Sequence, residues 1–311
     1  MSNSFLLRSA AIVGGGTMGT DIAAIFIAGG WAVNLVEPLQ DRWSAALARI
    51  AQSVEQLGHS PKSMPIRMHP HISELPWNEL GILIECIPEQ LELKRSLFAQ
   101  MENFAPASLP LASNSSSIPI SEISRGLKTR ERMLGLHFFM PAHLVPAVEV
   151  VRGEATDPVL CERCSGLMRS LGKVPVNVKK DVPGFLANRL QHALAREAFA
   201  MIDAGLASAE DIDAAVRFGF GLRYLAAGPV LQKDIAGLDI HCAAARTMYP
   251  SLANNTVPSA ALSDKVAAGK LGMKTGEGFY RWTPESAARE KARYEQALLG
   301  ALELLKPDMP S

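Results

Sequence analysis

From Ala10 to about Lys180 the chain alternates short apolar runs with stretches whose apolar residues recur at helical spacing. The runs are AAIVG, VNLVE, GILIECI, SLPLAS, RMLGLHFF, VEVV and VPVNV. Such alternation is the pattern of βαβ units, whose strands are covered on both faces by crossover helices. It predicts an α/β domain with a largely parallel sheet. At KKDVPGF, Pro183 and Gly184 break the pattern. LANRLQHALAREAFAMIDAG then opens a helical region that continues through AEDIDAAVRFG almost to the end. The boundary is placed near Val182, giving an α/β domain over 1–182 and an all-α domain over 183–311. The last residues, ending LLKPDMPS, are expected to fray.

Length agrees with two domains, since 311 residues exceed the usual single-domain size. Charge narrows the partner: 31 basic residues balance 31 acidic ones and no run of like charge occurs. General binding to nucleic acid or to a membrane surface is therefore not expected, and a small molecule is. Four cysteines are too few and too irregular for a secreted disulfide framework, which predicts a reducing cytoplasm. The opening MSNSFLLRSAAIVGGG suits a buried strand better than a cleaved signal. No stretch approaches the roughly 18 to 20 apolar residues that span a bilayer, so a soluble protein is expected.

The first run leads into chemistry. AAIVGGGTMGTDIAAIFIAGG reads as strand, tight glycine turn and helix, with Gly14, Gly16 and Gly19 matching G-x-G-x-x-G. Gly14 permits the turn, Gly16 lets backbone approach a pyrophosphate, and Gly19 lets the helix pack against the strand. Thr17 and Met18 complete the helix amino terminus that would face the phosphates. The next strand, WAVNLVE, ends in Glu37, 18 residues beyond Gly19. A carboxylate there accepts from ribose hydroxyls and repels a 2′-phosphate, which points to NAD rather than NADP. Arg42 could in principle receive a phosphate, but a solvated helix face is the reading preferred.

Oxidising an alcohol with a nicotinamide needs a base for the hydroxyl proton, because the cofactor accepts only hydride. Histidine suits this, and an adjacent carboxylate would fix its tautomer. In LGLHFFMPAHLVPAVEVV, His137 ends one apolar run and Glu149 lies inside the next. Pro141 and Pro146 can turn the chain so that the two runs lie side by side. The residue types fit an acid/base pair, and on spacing alone they also fit a core histidine beside a strand-edge glutamate. Asn114 and Ser116 follow the apolar LPLA, where a loop at the carboxyl end of a strand would meet the cofactor.

In order along the chain, the glycine turn, LIECIPEQLELKRSLF, ASNSSSIPISEI, GLHFFMP, VEVV, KKDVPGFLANR, GPVLQKDIAGLD and GKLGMKTGEGFY resemble the motifs of 3-hydroxyacyl-CoA dehydrogenases. The resemblance runs from about Ala10 to Tyr280. It implies a Rossmann-type NAD-binding domain and a helical domain that carries a homodimer interface. The implied reaction is oxidation of an L-3-hydroxyacyl-CoA. It also implies His137 as general acid/base, Glu149 as its orienting partner, and Ser116 with Asn188 on the substrate oxygens. Glu89 and Lys94 fall to the nicotinamide side of the cofactor, where the alternative is a solvated first helical turn. His192, one turn after Asn188, could extend the polar network or lie on a plain helix surface.

Two departures bear on the substrate. The family usually has asparagine before the proline in HFFMP, where this chain has Met140, so an amide is replaced by a thioether. The segment from Pro38 to Pro70 carries only Arg42, Arg49, Lys62 and Arg67 as basic residues, which is poor for a site holding the phosphates of coenzyme A. The alternative is a small free acid, as in the carnitine, gulonate and pyridine-carboxylate dehydrogenases of the wider superfamily. A non-catalytic NAD-binding protein would need the glycine turn and Glu37 but not the complete His, Glu, Ser and Asn set. Cys161 and Cys164 form a lone CxxC with no second pair, so no metal is expected. His69 and His71 are expected in a solvated loop.

Overall fold

The computed structural model describes Phe5 and residues 7–309. Parts of the opening run and of the terminal segment expected to fray lie outside them. The apolar runs form one sheet: β1 (Ser9–Val13), β2 (Ala32–Val36), β3 (Ile66–His69), β4 (Ile82–Glu85), β5 (Leu111–Ser113), β6 (Met133–Phe138), β7 (Ala147–Val151) and β8 (Val174–Val178). Their order is β3-β2-β1-β4-β5-β6-β7-β8. Pairing is parallel from β3 across to β6, antiparallel between β6 and β7, and parallel again between β7 and β8. Strand order reverses between β1 and β4, which is where open α/β sheets bind ligands at the carboxyl ends of their strands. A Rossmann-type sheet is the result.

Helices cover both faces, which is why the strands read as continuous apolar runs. On one side α1 (Thr17–Ala28), α2 (Trp43–Gln56) and α5 (Pro158–Ser170) pack Ile22, Phe26, Ile50 and Leu167 against Ile12, Leu35, Ile84 and Leu134. On the other, α3 (Leu91–Phe104) and α4 (Ile120–Ile123) pack Phe98, Met101 and Ile120 against Val13, Leu83 and Leu111. Each strand alternates its side chains between these two layers.

The strand β3 corrects the expectation of a solvated loop at His69. It is a four-residue edge strand bracketed by Pro65 and Pro70, with Arg67 exposed, so its pattern is too short and too polar to read as a strand. His69 is half-buried there, its Nε2 3.0 Å from Asn34 Oδ1, and burial lowers its pKa. Nor does the end of the chain fray over its described length: a helix runs Pro284–Leu305, capped at Thr283, and a short turn follows at Lys306–Asp308.

The chain divides into two compact units, one reaching Asn188 and the other Arg189–Pro307. Residues 183–188 thus group with the sheet. The second unit is helical, with α6 (Ala187–Asp203) leading into helices at Ala209–Ala214, Pro229–Ala236, Leu238–Met248 and Ala260–Ala267. In it the GEGFY segment forms a tight turn that stacks Phe279 on Phe199 at 5.4 Å. Among the described residues no helix is long and apolar enough to cross a membrane.

Candidate active site

The glycine turn lies at the carboxyl end of β1. Gly14 has φ +112°, and a Cβ there would stand 2.8 Å from the Cys86 carbonyl oxygen. A Cβ on Gly19 would stand 1.9 Å from the Gly14 carbonyl oxygen, so both positions exclude side chains. Gly16 differs: a Cβ there meets nothing within 4 Å, so its hydrogen faces open space. Gly16 caps α1 without a side-chain hydrogen bond, so among the described residues no side chain claims the first-turn amides at exposed Thr17 and half-buried Met18. Glu37 directly follows β2, and its carboxylate accepts from the Gly15 amide at 3.1 Å and the Leu39 amide at 3.0 Å. An anion-ready helix terminus beside a fixed carboxylate fits a pyrophosphate and a ribose diol, the two parts of NAD that a protein of this type must hold.

At the antiparallel step of the sheet, His137 on β6 and Glu149 on β7 are direct cross-strand partners. Their side chains therefore share a face at the same height. His137 Nδ1 lies 2.7 Å from Glu149 Oε2, with His137 5% exposed and Glu149 fully buried. The second oxygen, Oε1, accepts from the backbone amides of Leu186 at 2.9 Å and Ala187 at 2.8 Å, where α6 begins. Burial alone would raise the Glu149 pKa; the His137 hydrogen bond and these two amides outweigh it and hold the carboxyl below its usual range. An ionised Glu149 places the imidazole proton on Nδ1 and leaves the Nε2 lone pair to accept another. Phe139 and Phe185 flank the ring, with centroids 4.6 and 5.9 Å away. Phe185 is buried with φ +48°, a left-handed conformation held by its surroundings.

A second carboxylate orders the serine loop. Glu89 Oε1 accepts from the amides of Ser116 at 2.9 Å and Ser117 at 2.8 Å, and from the Ser115 hydroxyl at 2.8 Å. Burial would raise its pKa, but the Ser117 amide, the Ser115 hydroxyl and the nearby Lys94 bring it down to about 2. Lys94 is 1% exposed, bound to Glu85 Oε1 at 2.7 Å and 3.3 Å from Glu89 Oε2. Glu85 also accepts from the Ser113 hydroxyl at 2.6 Å and the Ile87 amide at 2.7 Å. Burial pushes the Glu85 pKa up against the pull of Lys94.

The expected residues thus fall into two clusters. His137, Glu149, Asn114, Ser116 and Asn188 come together: Asn114 Oδ1 accepts from the Phe138 amide at 2.8 Å, and Asn188 Nδ2 donates to the Ser116 carbonyl at 2.9 Å. Glu89 joins them through the serine loop. Gly14, Gly16, Thr17, Met18, Gly19 and Glu37 make the turn beside β2. Lys94 differs in kind, since its ammonium is enclosed by Glu85, Glu89 and the Ile87 carbonyl at 3.3 Å. Met140 is 67% exposed, and Arg42 and His192 are exposed. Sequence reading missed Glu85, although a carboxylate closing the apolar LIE was visible, and Asp21, a lone acid in the apolar helix α1. It also missed the Leu186 and Ala187 amides, which no sequence pattern marks.

Family models match the chain over both regions: the 3-hydroxyacyl-CoA dehydrogenase NAD-binding domain at residues 9–182 and the C-terminal domain at residues 184–282. The chain belongs to the 3-hydroxyacyl-CoA dehydrogenase family, and it is an NAD-dependent dehydrogenase. Among its relatives is 5-formyl-3-hydroxy-2-methylpyridine 4-carboxylate 5-dehydrogenase of Mesorhizobium japonicum, 32% identical over 97% of this chain and 99% of that protein. Rat mitochondrial hydroxyacyl-coenzyme A dehydrogenase is also 32% identical, over 89% of this chain and 92% of that protein. A crystal structure of the pyridine-carboxylate dehydrogenase, described as an NAD+-dependent dismutase, superposes with a TM-score of 0.91 at 31% identity over 97% of this chain and 99% of that one. The (S)-3-hydroxybutyryl-CoA dehydrogenase of Ralstonia eutropha, also 31% identical, superposes with 0.72 over 89% of this chain and 99% of that one.

Proposed function

We propose that the protein oxidises or reduces a small free carboxylic acid bearing an alcohol or aldehyde, of the pyridine-carboxylate type, in preference to a coenzyme A thioester. The observation that carries this reading is shape: at equal identity, the superposition is 0.91 with the pyridine-carboxylate enzyme and 0.72 with the thioester enzyme. The few basic residues between Pro38 and Pro70 support it further. Of the four, Arg49 is already spent on buried Asp21 at 2.9 Å. The thioester reading stays second, supported by the family models and the hydroxyacyl-CoA relatives.

NAD, when bound, supplies the hydride acceptor or donor. His137 Nε2 takes the proton of the reacting hydroxyl, that of an alcohol or of an aldehyde hydrate, as hydride leaves the same carbon. Glu149 fixes the tautomer and stabilises the imidazolium that forms. Ser116 Oγ and the second Nδ2 hydrogen of Asn188 hold the substrate oxygen, with Glu89 fixing the serine loop and Lys94 fixing Glu89. The α/β domain binds NAD and the helical domain mediates a homodimer, supported by exposed apolar side chains in the second unit, among them Phe218, Val230 and Ile235. The free thiols of the described cysteines support a reducing cytoplasm.

The test follows NADH absorbance with purified protein and two probes, 5-formyl-3-hydroxy-2-methylpyridine 4-carboxylate and acetoacetyl-CoA. Turnover of the first with little of the second is the expected result. Rapid NADH oxidation with acetoacetyl-CoA alone overturns the assignment. Sedimentation as a monomer at micromolar concentration would reject the dimer.

A further inference from the structure

The loop from Phe139 to Pro146, between β6 and β7, is anchored by buried charges for which the proton transfer has no use. Lys173, 3% exposed and just before β8, donates to three carbonyls of that loop: Ala142 at 2.7 Å, Val145 at 3.0 Å and His143 at 3.2 Å. Asp21, fully buried on α1, accepts the Ala142 amide at 3.2 Å through Oδ2, which also lies 3.2 Å from His143 Nδ1. Its Oδ1 takes the Arg49 guanidinium of α2 at 2.9 Å. His143 Nε2 lies 2.6 Å from Gln56 Oε1, also on α2. Side chains from three separate elements thus converge on residues 142 to 145.

Stability alone does not explain this arrangement. Removing a lysine and an aspartate from water is costly, and apolar side chains filling the same space are often at least as stable. Burial pulls the Lys173 pKa down to about 8, with Asp21 opposing, so the charge is held against its own desolvation. What the network does achieve is a fixed path for a loop that starts beside the reacting histidine. Phe139 rests its ring 4.6 Å from His137, and Met140, next along, is 67% exposed.

We propose that Lys173 and Asp21 are positioning residues for a substrate-facing wall made by Phe139 and Met140, setting substrate affinity while leaving the His137–Glu149 proton transfer alone. The proposal rests on the reading that substrate meets His137. A misplaced wall weakens substrate binding, whereas the acid/base pair is held separately by β6, β7 and the α6 amides.

The experiment compares the full-length wild type with Lys173→Met, Asp21→Asn and the double variant. Turnover is followed with the pyridine aldehyde acid and acetoacetyl-CoA, NADH binding by fluorescence, and amide hydrogen exchange at Ala142, Leu144 and Val145. Expected are a KM raised roughly tenfold with kcat within about twofold, unchanged NADH affinity, and faster exchange at the three amides. The double variant should be scarcely worse than the worse single one, because both act through one loop. An unchanged KM, a kcat loss without a KM change, or multiplying effects would each overturn the proposal. If the wild type turns over neither probe, the substrate reading falls; unaltered protection at the three amides in Lys173→Met then still rejects the clamp. Should that variant not fold, Lys173→Gln, which keeps a donor for one carbonyl, replaces it.

Discussion

Replacing Glu149 by Gln probes the acid/base pair with almost no change of shape. In the native protein one carboxylate oxygen faces His137 Nδ1 at 2.7 Å and the other faces the Leu186 and Ala187 amides at 2.9 and 2.8 Å. All three neighbours donate. A glutamine has one accepting oxygen and one donating nitrogen, so one side must meet a donor with a donor. The backbone amides cannot change, but the imidazole can, by moving its proton from Nδ1 to Nε2. The amide oxygen therefore stays on the helix terminus and the NH2 turns to His137, which then offers a protonated Nε2 to the substrate and cannot act as base. An equivalent wrong-tautomer substitution in a hydrolase triad lowers turnover by about 10⁴, and a drop of roughly 10³ to 10⁴ in kcat, about 4 to 5.5 kcal/mol in the barrier, is expected here. NADH affinity and the thermal midpoint should stay close to wild type, because both α6 amides keep their acceptor. Glu149→Ala is the contrast: it leaves those amides and Nδ1 without a partner and should lose about 2 kcal/mol or more of stability as well. Steady-state kinetics in the oxidative direction, with NADH fluorescence titration and thermal melting, make the comparison. A Glu149→Gln variant whose kcat stays within about threefold of wild type would refute the tautomer argument.

Gly19→Ala places a methyl 1.9 Å from the Gly14 carbonyl oxygen and must push α1 off the turn, so a loss of about 1 to 3 kcal/mol and of most NADH binding is expected in melting and titration. Glu37→Ala removes the acceptor of the Gly15 and Leu39 amides together with the charge expected to face the ribose; NADPH should gain on NADH by roughly tenfold in relative affinity, and unchanged discrimination would count against Glu37 as the selector. Glu89 has a pKa of about 2 in the fold and about 4.5 when free, so the unfolded chain takes the proton first as pH falls. Its contribution is complete above about pH 4.5 and is lost on descent toward pH 2; with a third of the side chain exposed, it amounts to about 1 to 2 kcal/mol. Denaturation at about pH 5 and about pH 3 should accordingly show the gap between wild type and Glu89→Gln narrowing by roughly half that amount, and a constant gap would reject it.

The parts of this molecule that could be read from sequence are those set by local spacing. Apolar runs between helical patterns gave the sheet, and Gly14, Gly16, Gly19 and Glu37 gave the glycine turn and the carboxylate beside it, because each depends on residues close together along the chain. The edge strand β3 escaped because it is half covered, short and bracketed by prolines. Lys94 is not the residue of a solvated first helical turn that spacing also allowed: its ammonium is enclosed between Glu85 and Glu89. Nothing in LIECIPEQLELK distinguishes a lysine facing solvent from one turned into the sheet. Asp21, Lys173 and His143 escaped for the same reason in stronger form: they lie 121 and 31 positions from their Ala142 contacts or wholly within a loop, and only the folded sheet brings them together.

The antiparallel step explains why His137 and Glu149 meet where they do. Across the parallel strands, β1 to β6, neighbouring residues are separated by crossover helices, so a facing pair is far apart in sequence and each partner is oriented by a different helix. Between β6 and β7 the chain doubles back, and His137 and Glu149, 12 residues apart, become direct partners fixed by the ladder itself. The short return leaves a loop at the carboxyl end of β6 that is anchored by Lys173 and Asp21 and not by the ladder that holds the pair. The ladder fixes the pair, and on the function proposed above the loop that carries Phe139 and Met140 is where a change of substrate would enter. On that reading the pair and the substrate wall are held separately, and the separation is built from one reversal of strand direction.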